Sequence, residues 1–283
     1  MPQEWHIAGR TLPIGSRTLV MGVLNVTPDS FSDGAQFLSL DKALAHAEQM
    51  IADGADIIDI GGESTRPGAD LISPEDELQR VLPVIEALTK RAHVPISVDT
   101  TKAVVARAAL DAGAAIVNDV SALRFDFHIA DEVAKSSAGL VLMHSRGTPA
   151  TMQRLPPVAD VIAEVTESLR SSVAMAERRG VKRESIVIDP GIGFGKTQEQ
   201  NIELIAKLDR LAQAFPDFPI LIGTSRKSFI GRLLENAPAT DRLHGTMASI
   251  TIAVMRGAHI VRVHDVRAAV ETLRIADAIK GIV

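Results

Sequence analysis

Cysteine is absent from the 283-residue chain. That excludes disulfide frameworks, thiolate metal sites and a cysteine nucleophile. Tyrosine is also absent, tryptophan occurs once and aromatics make up 3%, too few to build a stacking platform for single-stranded nucleic acid. Positive charge is in deficit, with 30 Lys and Arg against 35 Asp and Glu and a formal net charge of -5. A general nucleic-acid binder needs the opposite balance, so no nucleic-acid partner is expected, although a local anion site is compatible. No apolar run nears the ~18 residues that cross a bilayer, so no membrane partner is expected either. The first residues, Met1-Pro2-Gln3-Glu4-Trp5-His6, have neither a basic start nor a long apolar core. No secretory leader is therefore expected, and the expected location is the cytoplasm. What the chain does have is 46% hydrophobic and 23% charged residues, an ordinary globular balance that excludes disorder.

One unit recurs. A helix-like segment ends in glycine, a short aliphatic run follows, and a polar cluster closes it, as in Gly54 to Ser64, Gly113 to Asp119 and Gly257 to Asp265. Glycine just past a helix takes the left-handed position, and a short aliphatic run is the mark of a strand buried on both faces. Eight such runs lie near 18–23, 55–60, 96–98, 115–117, 139–143, 185–188, 220–222 and 259–263. Helical periods separate them: Ala43, Leu44, Ala47, Met50 and Ile51 form one stripe, and Val158, Val161, Ile162, Val165, Leu169 and Val173 another. Ser73-Pro74 reads as an N-cap followed by proline at the first helical position, and 197–200 reads as a capping box. The pattern predicts a single (β/α)8 barrel domain over 1–283, with 1–16 as an N-terminal extension covering the barrel bottom. An open doubly wound sheet is the competing architecture, but no dinucleotide signature supports it.

Active sites of such barrels assemble at the C-terminal strand ends. Here every end is polar: Asn25, Asp59 with Glu63, Asp99, Asn118 with Asp119, His144, Asp189, 224–227, and Arg262 with His264 and Asp265. Taken singly, these have ordinary readings. Asp99-Thr100 suits a helix cap, and His144 suits a satisfied structural histidine. Together they point to a polar small-molecule site. Carboxylates and an amide (Asp99, Asn118, Asp189) can read ring N–H groups. Lys227 and Arg262 can hold an anion, and Arg262 and His264 share one side of a strand. No nucleophile with its own base is evident, so the chemistry reads as positioning and leaving-group stabilisation. No cluster of transition-metal ligands appears, whereas Mg²⁺ needs few protein ligands beside phosphate oxygens.

Seven segments carry a resemblance to the dihydropteroate synthase family: MGVLNVTPDSFSDG at 21–34, DIGGESTRPG at 59–68, SVDT at 97–100, NDVS at 118–121, DPGIGFGK at 189–196, SRKS at 225–228 and RVHD at 262–265. They run in order from the first strand to the last. The resemblance implies a folate-pathway transferase on a barrel, commonly a homodimer, using Mg²⁺ and of a kind that is a sulfonamide target. It implies that Asp99, Asn118, Asp189, Lys227, Met143, Phe194 and Gly223 bind the pterin. Asn25, Thr65, Arg262 and His264 would hold the diphosphate, with Asn25 the Mg²⁺ ligand. Phe31, Thr65, Arg66, Pro67, Lys227 and Ser228 would bind 4-aminobenzoate. The implied catalytic set is Asp99, Asp189, Lys227, Arg262 and His264. The chain departs from the family pattern where Ala35 and Ala122 replace glycine and Ser145 replaces methionine. A methyltetrahydrofolate-dependent methyltransferase would share the ring-reading residues, but it has no use for the phosphate grip. A pterin-binding barrel without turnover is the non-enzymatic alternative.

Overall fold

The computed structural model describes residues 3–26, 36–64 and 68–282. A hairpin, β1 (Gln3–Ile7) and β2 (Arg10–Ile14), comes first. Strands and helices then alternate: β3 (Leu19–Asn25), α1 (Gln36–Ala52), β4 (Ile57–Gly61), α2 (Pro74–Leu88), β5 (Ile96–Asp99), α3 (Ala103–Asp111), β6 (Ile116–Asp119), α4 (Ile129–Ser136), β7 (Gly139–Met143), α5 (Val161–Arg178) and β8 (Ile186–Asp189). The chain closes with α6 (Gln198–Ala206), α7 (Leu208–Ala214), β9 (Leu221–Ile222), α8 (Ser228–Leu233), α9 (Leu243–Met255), β10 (Ile260–Val263) and α10 (Val266–Lys280). The eight strands from β3 to β10 are parallel, in the order β8-β7-β6-β5-β4-β3-β10-β9. An isolated bridge between Ile188 and Ile220 brings β8 and β9 together, so the sheet is a nearly closed barrel, as the eight aliphatic runs predict.

The local signals work as read. Gly54, Gly113 and Gly257 all have φ above 100°, where a side chain would be strained. Ser73 accepts the Asp76 N–H ahead of Pro74, and Thr197 with Gln200 forms the capping box. One stripe is shorter than its periodicity: α5 starts at Val161, capped by Asp160, and Val158 packs on the core from outside the helix.

Along each strand, alternate side chains divide between two cores. Val20, Ile58, Val117, Leu142, Ile188 and Val261 face the helices. Leu19, Met21, Ile57, Ile116, Val141, Val187, Leu221 and Ile260 face the barrel interior, where they pack with Trp5, Ile7 and Ile14 of the hairpin. The indole N–H of Trp5 donates to Ser185 O at 2.9 Å. The hairpin thus fills the end from which the strands start. The parity that sends Ile57, Ile116, Val187 and Ile260 inward also sends Asp59, Asn118, Asp189 and Arg262 inward, two residues nearer the other end.

Candidate active site

Four of the inward polar groups meet through direct bonds. Asp59 is fully buried, and its Oδ2 accepts from Asn118 Nδ2 at 3.0 Å and from Arg262 Nε at 2.6 Å. Arg262 Nη2 donates to Asp99 Oδ2 at 2.8 Å. The cap reading of Asp99 is excluded, because the first N–H of α3, at Ala103, is taken by Asp126. Asp99 faces the interior instead. Burial pushes its carboxyl up to about 7; Arg262 works against that shift and the nearby Asp59 adds to it.

On the opposite wall, β8 ends in Asp189, which accepts the Gly191 N–H at 2.6 Å. Burial raises this carboxyl as well, with Lys227 the main opposing charge. Burial lowers the Lys227 ammonium to about 8, against the pull of Asp189. That ammonium donates to Ile192 O and lies 4.5 Å from the centroid of the Phe194 ring. Met143 is buried at the end of β7, in register with Asp189. Gly223 follows β9, and a side chain there would approach Arg262 Cβ.

The remaining candidates sit around this centre. Asn25 ends β3, half-buried and in register with Gly61. His264 Nδ1 is 3.0 Å from Ser225 Oγ, which also accepts the His264 N–H. Ser228 opens α8 and is exposed. Arg226, in the polar strand end 224–227, is committed within the fold: its guanidinium forks onto Asp265 at 2.5 and 3.0 Å. Phe31, Thr65, Arg66, Pro67 and Ala35 lie outside the described residues.

Parity also sorts the ambiguous neighbours. Asp119 and His144 fall on the outward side. Asp119 binds the N–H groups of Ser121 and Leu123 and so shapes its own turn. That turn holds Ala122 at φ 51, a left-handed conformation that favours glycine. His144 is buried, with no hydrogen-bond partner for Nδ1 among the described residues, and burial, helped by Lys196, lowers it to about 2. It therefore stays neutral, a structural group. Ser145 accepts from Arg124 at 2.7 Å, a contact a methionine could not make.

Sequence reasoning left three contributors outside its site. Asp59 stood among the polar strand ends, and its shared parity with Asn118 was the signal that could have promoted it. Lys196 is buried, its ammonium donating to the carbonyls of Gly191, Phe194 and His144 at 2.8 to 3.2 Å, which fixes the loop carrying Phe194. Lys102 joins Glu63 at 2.6 Å and Glu77 at 2.5 Å behind the loop that follows β4. Lys102 pairs across 25 and 39 positions, and Lys196 reaches back 52 positions to His144, so no local motif announces them.

Mg²⁺ can be tested against the donor set. Among the described residues no group of three or more His, Cys, Asp or Glu could hold a metal ion. A lone amide oxygen at Asn25 suits a cation bound mainly through phosphate oxygens and water.

A family model described as "pterin binding enzyme" matches residues 21–264. The dihydropteroate synthase of Synechocystis sp. is 49% identical over 265 residues, covering 94% of this chain and 91% of that protein. Two solved structures superpose closely. A dihydropteroate synthase from Clostridium difficile, determined with pteroic acid, gives a TM-score of 0.88 at 46% identity, covering 94% of this chain and 98% of the other. The Xanthomonas albilineans enzyme with 4-aminobenzoic acid gives 0.91 at 43% identity, covering 99% of each chain.

Proposed function

The chain belongs to the pterin-binding enzyme family, among its dihydropteroate synthases, and on that premise we propose how its site works. The enzyme condenses 6-hydroxymethyl-7,8-dihydropterin diphosphate with 4-aminobenzoate, giving 7,8-dihydropteroate and diphosphate. The observation that carries this reading is the inward polar layer: three buried carboxylates, an amide and two cations around one interior. Burial without enough donors raises Asp99 and Asp189. A pterin supplies the missing donors through its ring N–H and amino groups. Asp99, Asn118, Asp189 and Lys227 hold the ring, and Met143, Phe194 and Gly223 line it.

Arg262, His264, Asn25 and Thr65 take the diphosphate. As the bond from the pterin methylene carbon to the diphosphate oxygen breaks, negative charge grows on that oxygen, and Arg262 and His264 stabilise it. The aryl amine nitrogen bonds to the same carbon and releases one proton. Asp99 and Asp189 favour positive charge on the pterin during this exchange. Asn25 would hold Mg²⁺, which when bound would further neutralise charge on the leaving group. Phe31, Thr65, Arg66, Pro67, Lys227 and Ser228 form the aminobenzoate side, which a sulfonamide would occupy.

The same reading includes a homodimer in the cytoplasm. Ile252 and Met255 of α9 and Ile202 of the adjacent α6 are exposed apolar groups suited to a second copy. Sedimentation of Ile252→Glu against wild type tests it. No described helix is long and apolar enough to cross a membrane.

The deciding experiment supplies both substrates to purified protein and follows dihydropteroate and diphosphate together. Equal release of the two supports the synthase. Absence of both products overturns it.

A further inference from the structure

Asp59 has no place in the roles just described, yet it is the junction of the polar layer. It is fully buried, so it does not present itself to a ligand directly. Its Oδ2 alone takes both donors, Asn118 Nδ2 and Arg262 Nε. Among the described residues its Oδ1 has no hydrogen-bond partner, and neither does the hydroxyl of Ser97, the residue opposite it across the β4–β5 ladder. Among the described residues, Arg262 is therefore the bonded cation that balances the charge on Asp59, and Asn118 adds a neutral donor. The guanidinium is held in turn at two nitrogens, Nε by Asp59 and Nη2 by Asp99.

We infer that Asp59 is a positioning residue: by holding Arg262 at Nε it leaves the Nη1–Nη2 fork to the diphosphate once the pterin ring has engaged Asp99, and so couples ring recognition to leaving-group recognition. This inference rests on the function proposed above. Its chemistry follows from the shape of arginine. The Nη1–Nη2 fork matches phosphate oxygens in pairs, and Nε is the remaining donor by which the plane can be fixed without using that fork. Asp99 occupies one tine. A ring that donates to Asp99 competes for that carboxylate and frees the tine, while Asp59, out of reach of the ring, keeps hold of Nε. Asn118 reports to the same carboxylate from the pterin side.

The arrangement also ties Asp59 to the ionisation of Asp99. Asp99 is faced by Arg262 from β10, Asp59 from β4, Glu77 from α2, Asp119 from β6 and Lys227 ahead of α8. Among these, the Asp59 charge favours the protonated form of Asp99 and Arg262 the ionised form. Removing the Asp59 charge takes away a repulsion and leaves Arg262 to Asp99 alone, and both changes ease ionisation.

The test is Asp59→Asn, which keeps the shape and removes the charge. The KM for pterin diphosphate should rise by roughly tenfold or more, the worth of one charge-assisted hydrogen bond, while the KM for 4-aminobenzoate holds. The acid limb of the pH profile of kcat/KM for pterin diphosphate should move to lower pH, which a merely structural defect would not do. Ser97→Ala, in the same buried layer, should leave both constants and the pH profile unchanged. Arg262→Lys provides a second route, independent of how the Asp59 variant folds. One ammonium cannot hold Asp59 and fork onto phosphate together, so the KM for pterin diphosphate should rise there too. Wild-type constants with an unmoved acid limb in Asp59→Asn, both KM values rising together, or near-normal kinetics in Arg262→Lys would each overturn the inference. Absence of any dihydropteroate from the wild-type protein would instead overturn the function on which it rests.

Discussion

The two ends of the barrel interior are built by the same strands and differ completely in chemistry. At the end where the strands start, Ile57, Ile116, Val187 and Ile260 close on Trp5, Ile7 and Ile14. Two residues further along the same strands stand Asp59, Asn118, Asp189 and Arg262. The lower layer is satisfied by itself, because apolar burial needs no partner. The upper layer is only partly satisfied: Asp99 and Asp189 are held above the usual carboxylate range and Lys227 below the usual ammonium range. Stability is concentrated below, and unmet polar demand above. A ligand meets the second without disturbing the first.

Breaking the lower layer should cost stability and spare chemistry. Trp5→Ala should destabilise the barrel by about 3–5 kcal/mol in urea unfolding, with turnover per folded molecule unchanged. Breaking the upper layer should do the reverse. Lys227→Ala and Asp189→Asn should each lower turnover by roughly a hundredfold, or about 3 kcal/mol of barrier, with little change in the urea midpoint. If either variant kept wild-type turnover, the pterin side would be misassigned.

Smaller changes sharpen the contrast. Gly139 starts β7 against the hairpin, and a methyl there would lie 2.5 Å from Ile7 and 3.0 Å from Trp5. Gly139→Ala should destabilise by about 1–3 kcal/mol through overpacking and again leave KM values alone. The upper layer should show itself in pH instead. The value of kcat/KM for pterin diphosphate should rise as Asp99 ionises near 7 and fall as Lys227 loses its proton near 8. A flat profile from pH 6 to 9 would contradict the pair, given a chemical step slow enough to report them.

His144 offers the smallest effect and a different sign. Its folded value near 2 lies below the ordinary 6.5. Between those values the unfolded chain binds a proton that the folded barrel refuses, so stability is lost as pH falls below 6.5. The contribution is at most about 1.4 kcal/mol per pH unit, and His144→Gln should flatten the slope of the urea midpoint between pH 5 and 6.5. Turnover should not follow, because His144 faces away from the interior.

Much of this was legible in the chain. The aliphatic runs located all eight strands because buried parallel strands tolerate little else. Most of the polar centre was legible as strand ends. What could not be read was partnership. Asp99 next to Thr100 looks locally like a cap, and only the closure of the barrel brings Arg262 to it from 163 positions away. Asp59 was visible but unranked, since its importance lies in the two donors it receives. Arg226 stood in the same polar strand end as Lys227, and only the structure shows that Asp265 claims it.

The hairpin beneath the barrel also places a demand on time. Trp5 leaves the ribosome 180 residues before Ser185, whose carbonyl receives its indole N–H. At about 5–20 residues per second, the interval is on the order of ten to forty seconds. Throughout it, Trp5, Ile7 and Ile14 have no finished interior to enter. The segment that seals the completed molecule is therefore made well before the interior it seals, and its docking is a late step of folding.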